Sequence, residues 1–465
     1  MSGFTLAALV AFAQAARPSP APAPAPQSRL EVPYEIFTLR NGLTVIVHED
    51  HSAPVATVNT WYHVGSGREK PGRTGFAHLF EHLMFEGSKN VPEGAFDRWL
   101  EAVGGNNNGS TNSDRTNYWE DVPAGGLEVP LFLESDRMAY LIQGMTPQKV
   151  DGQRDVVKNE RRQSYENRPY GMAELRLLEA MFPPDHPYSW PTIGSMADLS
   201  AAKYDDVVDF FERWYGPSNA SVVIAGDVDA KEVRTLAEKW FDEVPPRWPA
   251  DPIVPRPVAL NEEKRLILED KVQLPRLYIQ WPNPPYLSPA DAALDAVAGV
   301  LAQGKNSRLY KRLVYELEVA QDVSASQDSA ALASTFGITA TARSGAKLDE
   351  LRLMIDEELQ KLRERPPTQR ELERFRNQTE SRFYDRLERI GGFGGKADQM
   401  NNYFFTTGDP DYFEEDLARY RALSPKDLQA TALRFLGPNR VVLSVVPEGR
   451  RELAVPEKSA PEKTK

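Results

Sequence analysis

The chain repeats one pattern of elements in two halves. In the first half, a predicted helix leads to Gly216-Pro217 and then to the apolar strand 221–226. In the second half, a predicted helix leads to Gly437-Pro438 and then to the apolar strand 441–446. The two Gly-Pro pairs lie 437 − 216 = 221 residues apart. Two copies of one unit account for this most simply, and they predict an α+β fold of two homologous domains, each a mixed or antiparallel sheet packed with helices.

A Pro-rich break separates the two halves. Residues 245–258 contain six prolines and predict a linker. We therefore expect a first domain over 34–244 and a second, homologous domain over 259–450. The flanking segments are a signal-like stretch with a Pro/Ala spacer, 1–33, and a charged tail expected to be disordered, 451–465.

The N-terminal stretch has part of an export signal. Residues 4–12 form a short apolar run, and Ala13-Gln14-Ala15 is a small-residue cleavage pattern. The run is too short to span a bilayer, so no transmembrane segment is expected. The positively charged residues that usually begin an export signal are missing. We expect a periplasmic or secreted location, with a cytoplasmic one as the alternative and an unstructured tail as the plainer interpretation.

Charge and composition limit the chemistry. The net charge of −12 argues against a nucleic-acid partner. The chain has no cysteine, so disulfides and thiolate catalysis are excluded. Any transition-metal site must therefore use His, Asp or Glu.

The segment 75–85 carries the pattern H-x-x-E-H in His78, Glu81 and His82. On a helix, with Thr74 as its expected N-cap, the two imidazoles lie on one face and can bind one Zn²⁺ ion. Glu81 can then take a proton from a water molecule held beside the metal. With six histidines in 465 residues, the pattern would arise by chance in roughly one chain in a hundred.

Two histidines leave a catalytic zinc site one protein ligand short. The charged helix predicted over 146–167 offers Glu160 and Glu166, and spacing alone does not choose between them. A carboxylate on such a helix is more often solvated surface than a ligand.

The second copy of the motif has lost these groups. If Gly87 and Gly304 close equivalent helices, the motif residues lie opposite Asp295, Ala298 and Gly299. We therefore expect one zinc ion per chain, bound in the first half.

Several segments together resemble the pitrilysin/insulinase family of zinc peptidases. They are HLFEHLMFEGS, GQRDVVKNERRQSYEN and the pair GGNNNGST and TNYWEDV, within a chain duplicated over 34–450. The resemblance implies a zinc metalloendopeptidase acting on peptides or unfolded polypeptides and forming one half of a clam-shell. It implies His78, His82 and Glu160 as zinc ligands and Glu81 as general base. It also implies that Asn108 and Gly109 lie on an edge strand that binds substrate as an added strand.

The sequence departs from the family pattern at two places. An acidic residue often precedes the third ligand by seven positions, whereas this chain has Gln153, which can hydrogen-bond a ligand but adds no charge. The Arg and Tyr that the second half of many members directs at the substrate fall here at Val314 and Gln321. Neither Val314 nor Gln321 can take over the role of the Arg or the Tyr. Tyr315 is close in sequence, but it would match the Tyr only in a different alignment register.

This inventory predicts a partner. A chain that holds the zinc residues and lacks the Arg/Tyr pair is expected to form a heterodimer with a related subunit that supplies the pair, in preference to a homodimer. The alternatives are a non-catalytic structural core subunit and a peptidase that processes targeting presequences.

Overall fold

The computed structural model describes residues 29–247 and 251–457. The predicted apolar run and cleavage pattern lie outside these residues, as do residues 458–465. Within the described chain, every helix is too short or too polar to cross a bilayer.

The first half forms a six-stranded sheet. Its strands, in chain order, are β1 (Glu35–Thr38), β2 (Thr44–Glu49), β3 (Val55–Tyr62), β4 (Asn106–Thr111), β5 (Thr116–Pro123) and β6 (Ala220–Gly226). In space their order is β1-β2-β6-β3-β5-β4. Strands β2 and β6 are parallel and the other neighbours antiparallel, so the sheet is mixed.

The first half contains eight α-helices in the described residues. They are α1 (Phe76–Leu83), α2 (Ala95–Ala102), α3 (Glu128–Gly144), α4 (Pro147–Arg161), α5 (Ala173–Met181), α6 (Met196–Ala201), α7 (Tyr204–Trp214) and α8 (Ala230–Phe241). A π-helical turn, Arg162–Glu166, extends α4.

The second half forms a five-stranded sheet. Its strands are β7 (Lys264–Asp270), β8 (Arg276–Asn283), β9 (Ala320–Asp328), β10 (Ser334–Ala342) and β11 (Val441–Pro447), ordered β7-β11-β8-β10-β9 in space. Its helices are α9 (Asp291–Ala302), α10 (Leu348–Glu364), α11 (Gln369–Leu387), α12 (Lys396–Thr407), α13 (Phe413–Ala422) and α14 (Pro425–Phe435).

The two sheets have the same topology once β1 is set aside. Thr44 pairs with Ser221 in the first sheet, and Lys264 pairs with Val441 in the second. Both members of the second pair lie 220 residues after those of the first (264 − 44 and 441 − 221). The offset is one less than that of the Gly-Pro pairs because the following loop is one residue shorter. The predicted α+β duplication is confirmed.

The two halves exchange one helix each. Helix α5 of the first half packs on the second sheet, with Ala173 and Leu177 in the same apolar cluster as β11. Helix α12 of the second half packs on the first sheet, with Met400 and Tyr403 in the same cluster as Ile46. Each sheet is thus covered on one face by its own helices and on the other by a helix from the opposite half.

A buried polar seam fixes α12 on the first sheet. The Asp398 carboxylate accepts hydrogen bonds from Trp61 Nε1 at 2.9 Å and from Asn117 Nδ2 at 2.8 Å. One turn on, Asn401 donates to the carbonyl of Asn59 at 2.8 Å. These donors are shielded from water, so they depend on the seam for their hydrogen bonds.

Ordered structure extends past two of the expected limits. Val32 is buried and donates its N–H to Asp411 at 3.0 Å, so part of the expected spacer packs on the second half. Residues 451–457 do not form a disordered tail: Leu453 and Val455 are buried, and the Val455 N–H donates to Ser444 Oγ at 3.0 Å. The other domain limits remain predictions.

Replacing Asp398 with alanine is expected to lower the free energy of unfolding by about 2–4 kcal/mol. The change leaves the buried Trp61 and Asn117 donors without an acceptor, at a cost of about 1–3 kcal/mol each. Urea denaturation followed by circular dichroism measures the loss.

The matched control is Asp385→Ala, which removes an exposed carboxylate from α11. It should change the stability by less than about 0.5 kcal/mol. Equal effects of the two variants would show that the seam does not hold α12 in place.

Candidate metal centre

Helix α1 presents His78 and His82 on one face. The centroids of the two rings lie 4.9 Å apart, while Leu79, Phe80 and Leu83 are buried in the first core. The helix is amphipathic because the histidines alternate with the apolar residues at helical spacing. The core therefore fixes which way the imidazoles point.

Helix α1 starts differently from the prediction. Its N-cap is Gly75, with φ of 88°, and the expected cap, Thr74, instead donates its hydroxyl to Asp198 at 2.6 Å. The buried carboxylate of Glu69 caps the start of the helix. It accepts hydrogen bonds from the N–H groups of Gly75 at 3.0 Å and Ala77 at 2.7 Å. Burial raises the pKa of Glu69 to about 8, against the effect of these two donors. A sequence-local rule could not find this cap, because Glu69 precedes the helix by seven residues.

Glu160, on α4, meets the two histidines. Its Oε2 atom lies 3.4 Å from His82 Nε2 and 3.7 Å from His78 Nε2. The other candidate, Glu166, is paired with Arg161 beyond the end of α4. The structure therefore brings Glu160, not Glu166, to the histidine pair.

A close backbone contact sets the spacing of the two ligand helices. Arg161, next to Glu160, donates from Nε to the carbonyl of Gly194 at 2.9 Å. Gly194 has a φ of 74°, and a Cβ there would lie 2.4 Å from the Cα of Gly75. Because only glycine fits, the start of α1 and the end of α4 are held at a fixed distance.

The protonation states of His78 and Glu160 suit a metal ion, whereas the proton that Glu160 favours on His82 must leave before a metal binds. Burial lowers the pKa of His78 to about 4, so its imidazole is neutral at pH 7. Burial also disfavours the charged form of His82, but the hydrogen bond with Glu160 raises its pKa above the ordinary value. The same bond lowers the pKa of Glu160, which stays ionised. A neutral imidazole and a carboxylate are the forms that bind zinc.

The spacing also suits a metal ion. Ligands at about 2.0–2.1 Å around a tetrahedral zinc ion lie about 3.3–3.4 Å from one another. The separations of 3.4 and 3.7 Å are close to that value. Among the described residues, these three form the one group of His or acidic side chains whose ligand atoms converge within 4.8 Å.

Glu81 lies beside this group and is held by strand β4. Thr111 Oγ1 donates to Glu81 Oε2 at 2.6 Å, and a Cβ added at Gly109 would lie 3.3 Å from Glu81 Cγ. Burial raises the pKa of Glu81, and the Thr111 hydrogen bond opposes the rise. The sequence analysis did not identify Thr111, whose only signal is its place two residues after Gly109.

Asn108 and Gly109 lie on the outer strand of the first sheet, as expected. Strand β4 pairs only with β5, and its other edge has no strand partner in the described chain. Asn108 is exposed, and its Oδ1 accepts the N–H of Gly109 at 2.8 Å.

Gln153 connects the site to an acid that the sequence analysis missed. Its Nε2 donates to Glu86 Oε1 at 2.6 Å, and it lies next to His82. Glu86, four residues after His82, therefore supplies a carboxylate near the position where Gln153 lacks one. The i,i+4 spacing was the available signal.

In the second half, side chains occupy the space that corresponds to the candidate metal centre of the first half. Tyr420 donates to Asp295 at 2.8 Å, and burial raises the pKa of Asp295 to about 6. Phe375 packs so closely on Gly299 that a Cβ there would lie 2.3 Å from its ring. Where Glu160 faces His82 in the first half, the second half has the Phe375 ring against Gly299.

Val314 and Gln321 also lie in the second half. Val314 is half-buried against the second core, and Gln321 is exposed on the edge strand β9. Tyr315 points outward, with 76% of its surface exposed.

A cavity of about 780 Å³ opens next to the site, between the two halves. His78, Thr111 and Glu160 line one side, and Arg276, Tyr278 and Gln280 of β8 line the other. The second half therefore faces the candidate metal centre.

Two family descriptions match the chain. Residues 44–189 match "Insulinase (Peptidase family M16)", and residues 201–379 match "Peptidase M16 inactive domain". His78, Glu81, His82 and Glu160 all lie in the first range, and the "inactive" description begins after them.

Curated relatives match over most of the chain. Zinc protease PqqE of Helicobacter pylori is 30% identical over 416 residues, 87% of this chain and 93% of that protein. A probable mitochondrial-processing peptidase subunit beta of Arabidopsis thaliana is 24% identical over 424 residues, 88% of this chain and 78% of that protein.

Solved structures match as well. A protease from Helicobacter pylori superposes with a TM-score of 0.83 at 27% identity, over 90% of this chain and all of that one. The periplasmic protease PqqL of Escherichia coli gives a TM-score of 0.75 at 19% identity, over 93% of this chain and 49% of that one. This chain thus spans about half the length of PqqL.

Replacing Gly194 with alanine is expected to weaken both folding and metal binding. A left-handed φ costs a non-glycine residue about 1–2 kcal/mol, and the clash with Gly75 adds to that cost by moving α1 relative to α4. We expect at least tenfold weaker zinc binding, measured by competition with a chromophoric chelator.

The matched control is Gly304→Ala, where φ is 77° and a Cβ would meet no atom within 4 Å. It should incur the backbone strain but leave zinc affinity unchanged. If Gly194→Ala bound zinc like Gly304→Ala, the Gly75–Gly194 contact would not set the ligand spacing.

Proposed function

Since the chain belongs to the M16 (insulinase) peptidase family, we propose that it is a zinc metalloendopeptidase acting on peptides or unfolded polypeptides. His78, His82 and Glu160 are the proposed ligands of one zinc ion, and Glu81 is the proposed general base. The observation that carries the proposal is the convergence of the three ligand atoms beside Glu81. One relative that matches most of the chain is named a zinc protease.

The bound ion would supply Lewis-acid activation of water and of the peptide carbonyl. Glu81 acts as the proton carrier. Its Oε2 is engaged by Thr111, so Oε1 is free to accept a proton from the attacking water. Burial of Glu81 raises its pKa, which makes the carboxylate a stronger base and lets it hold the proton until the proton passes to the leaving amine.

Strand β4 is the proposed substrate-binding edge. A peptide added there would hydrogen-bond to the outward-facing backbone groups of β4, and it would compete with Asn108 Oδ1 for the N–H of Gly109. Because Gly109 packs close to Glu81, a peptide on this edge would run past the general base.

Glu81→Gln is expected to fold and bind zinc like the wild type while losing about 10²–10⁴-fold in peptide turnover, since it cannot take a proton. His82→Ala is expected to lose the metal as well. Zinc content by atomic absorption and cleavage of a quenched-fluorescent peptide separate the two effects.

His51→Ala is the control, because His51 is exposed and pairs with Asp227 outside the site. It should keep both zinc and turnover. Undiminished turnover by Glu81→Gln would exclude Glu81 as the base.

We further propose that the active form is a heterodimer with a related chain. Val314 and Gln321 stand where family members have an Arg/Tyr pair, and Val314 is packed against the second core. A subunit of a processing peptidase is among the relatives, and PqqL contains about twice the length of this chain. Both fit a molecule that is half of a larger peptidase.

The chain alone is therefore expected to cleave peptides at least 10²-fold more slowly than a mixture with a related chain carrying the Arg/Tyr pair. Size-exclusion chromatography with light scattering and peptide cleavage test this together. A mixture containing Glu81→Gln should remain inactive, which assigns the chemistry to this chain. Full activity of the isolated chain as a homodimer would contradict the proposal.

Two narrower alternatives have some support. Presequence processing is favoured by the relative named mitochondrial-processing peptidase subunit beta. A structural core role would fit the description "inactive domain", but that description covers only residues 201–379. Cleavage of a targeting presequence in preference to unrelated peptides of equal length would favour the first.

A periplasmic or secreted location also remains a proposal. It is supported by the signal-like pattern in residues 1–28 and by the word periplasmic in the description of PqqL. Cell fractionation with antibody detection tests it.

A further inference from the structure

We infer that Thr111 is a positioning residue that fixes the Glu81 carboxylate for proton transfer, and that it links this carboxylate to the substrate-binding edge strand. The inference rests on the proposed function, in which Glu81 is the base. The observation that carries the inference is the contact of Thr111 with Glu81.

The contact is short and well directed. Thr111 Oγ1 donates to Glu81 Oε2 at 2.6 Å, and it is the one hydrogen-bond partner of that carboxylate among the described residues. A hydroxyl donor to an ionised carboxylate is among the stronger hydrogen bonds in proteins. Without it, Glu81 would have several rotamers available around its three side-chain torsions.

The hydroxyl is itself oriented. Thr116, opposite Thr111 on β5, has its Oγ1 within 3.4 Å of Thr111 Oγ1 and donates to the carbonyl of Val64 at 2.9 Å. Because Thr116 Oγ1 has given its own proton to Val64, it can only accept from Thr111. At 3.4 Å it is a much weaker acceptor than Glu81 Oε2 at 2.6 Å, so the single Thr111 proton is directed at Glu81.

Strand β4 also contacts the Glu81 side chain at a second position, Gly109. Gly109 and Thr111 face the same side of β4, two residues apart. A Cβ at Gly109 would lie 3.3 Å from Glu81 Cγ and 3.1 Å from the Tyr118 ring. The stem of Glu81 thus lies against Gly109 while its head is bound to Thr111, so two positions of one strand locate the whole side chain.

This arrangement joins substrate binding to catalysis. Strand β4 is at the edge of the sheet, and Asn108 and Gly109 are partly exposed. A peptide pairing with β4 would order that edge, and Thr111 is in the same strand. When a bound peptide orders the strand, the hydrogen bond from Thr111 would then also order the Glu81 carboxylate.

Thr111→Val removes the hydroxyl at nearly constant volume. We expect kcat for a quenched-fluorescent peptide to fall 10–100-fold, with KM changed less than threefold and zinc content unchanged. Thr111→Ser restores the donor and should keep kcat within threefold of the wild type. A residue that only stabilised β4 would not show this rescue together with an unchanged KM.

Thr235→Val is the matched control. Thr235 is exposed on α8, outside the site, and its hydroxyl donates to the carbonyl of Lys231. It should keep the wild-type kcat. Equal losses in Thr235→Val and Thr111→Val, loss of zinc by Thr111→Val, or failure of Thr111→Ser to rescue would each overturn the inference.

A second readout does not depend on turnover. Crystal structures of the zinc-loaded wild type and Thr111→Val should show the Glu81 carboxylate in one position in the wild type and displaced or spread over several in the variant. If it kept its position in Thr111→Val, the inference would be wrong. An inactive wild type with this displacement would instead refute the proposed function and leave the positioning role intact.

Discussion

The structure depends on the reciprocal exchange of α5 and α12 between its two halves. Strands such as β3 and β6 are buried along nearly their whole length, which a sheet achieves only when both faces are covered. Each half supplies helices for one face of its own sheet and one helix for the other half. Neither sheet would bury both of its faces alone, so the two copies form one folded unit despite their separate cores.

The exchange also places the third candidate ligand. Glu160 lies on α4, which continues through a π-helical turn into a loop and then into α5 on the second sheet. In that loop Tyr170 has a φ of 63°; its N–H donates to Asp270 at 2.7 Å and its hydroxyl to the carbonyl of Leu274 at 2.8 Å. A strained residue of this kind persists only where its surroundings hold it. The half without a metal site thus anchors the segment that follows Glu160.

The sequence predicted what depends on periodicity and on local motifs. The strands 221–226 and 441–446 follow from apolar runs, and the structure has both within one residue. The edge position of Asn108 and Gly109 follows from the family resemblance. The histidine pair follows from helical spacing. The Glu69 cap, the Thr111 contact and the Glu86–Gln153 pair join residues from separate elements, so no local pattern encodes them. Thr74 failed as a cap because Asp198, 124 residues away, takes its hydroxyl.

The two helix crossings place different groups at the candidate metal centre and at its counterpart in the second half. At the second crossing, Phe375 fills the space over Gly299, and the buried Asp295 carboxyl accepts a hydrogen bond from Tyr420. At the first, His78, His82 and Glu160 are partly buried, and their ligand atoms lie within 4.8 Å of one another. Without an ion such groups destabilise a fold, because their desolvation is only partly compensated. A cation bound to His78, His82 and Glu160 would compensate much of this cost, so metal binding and stability of the first half are coupled.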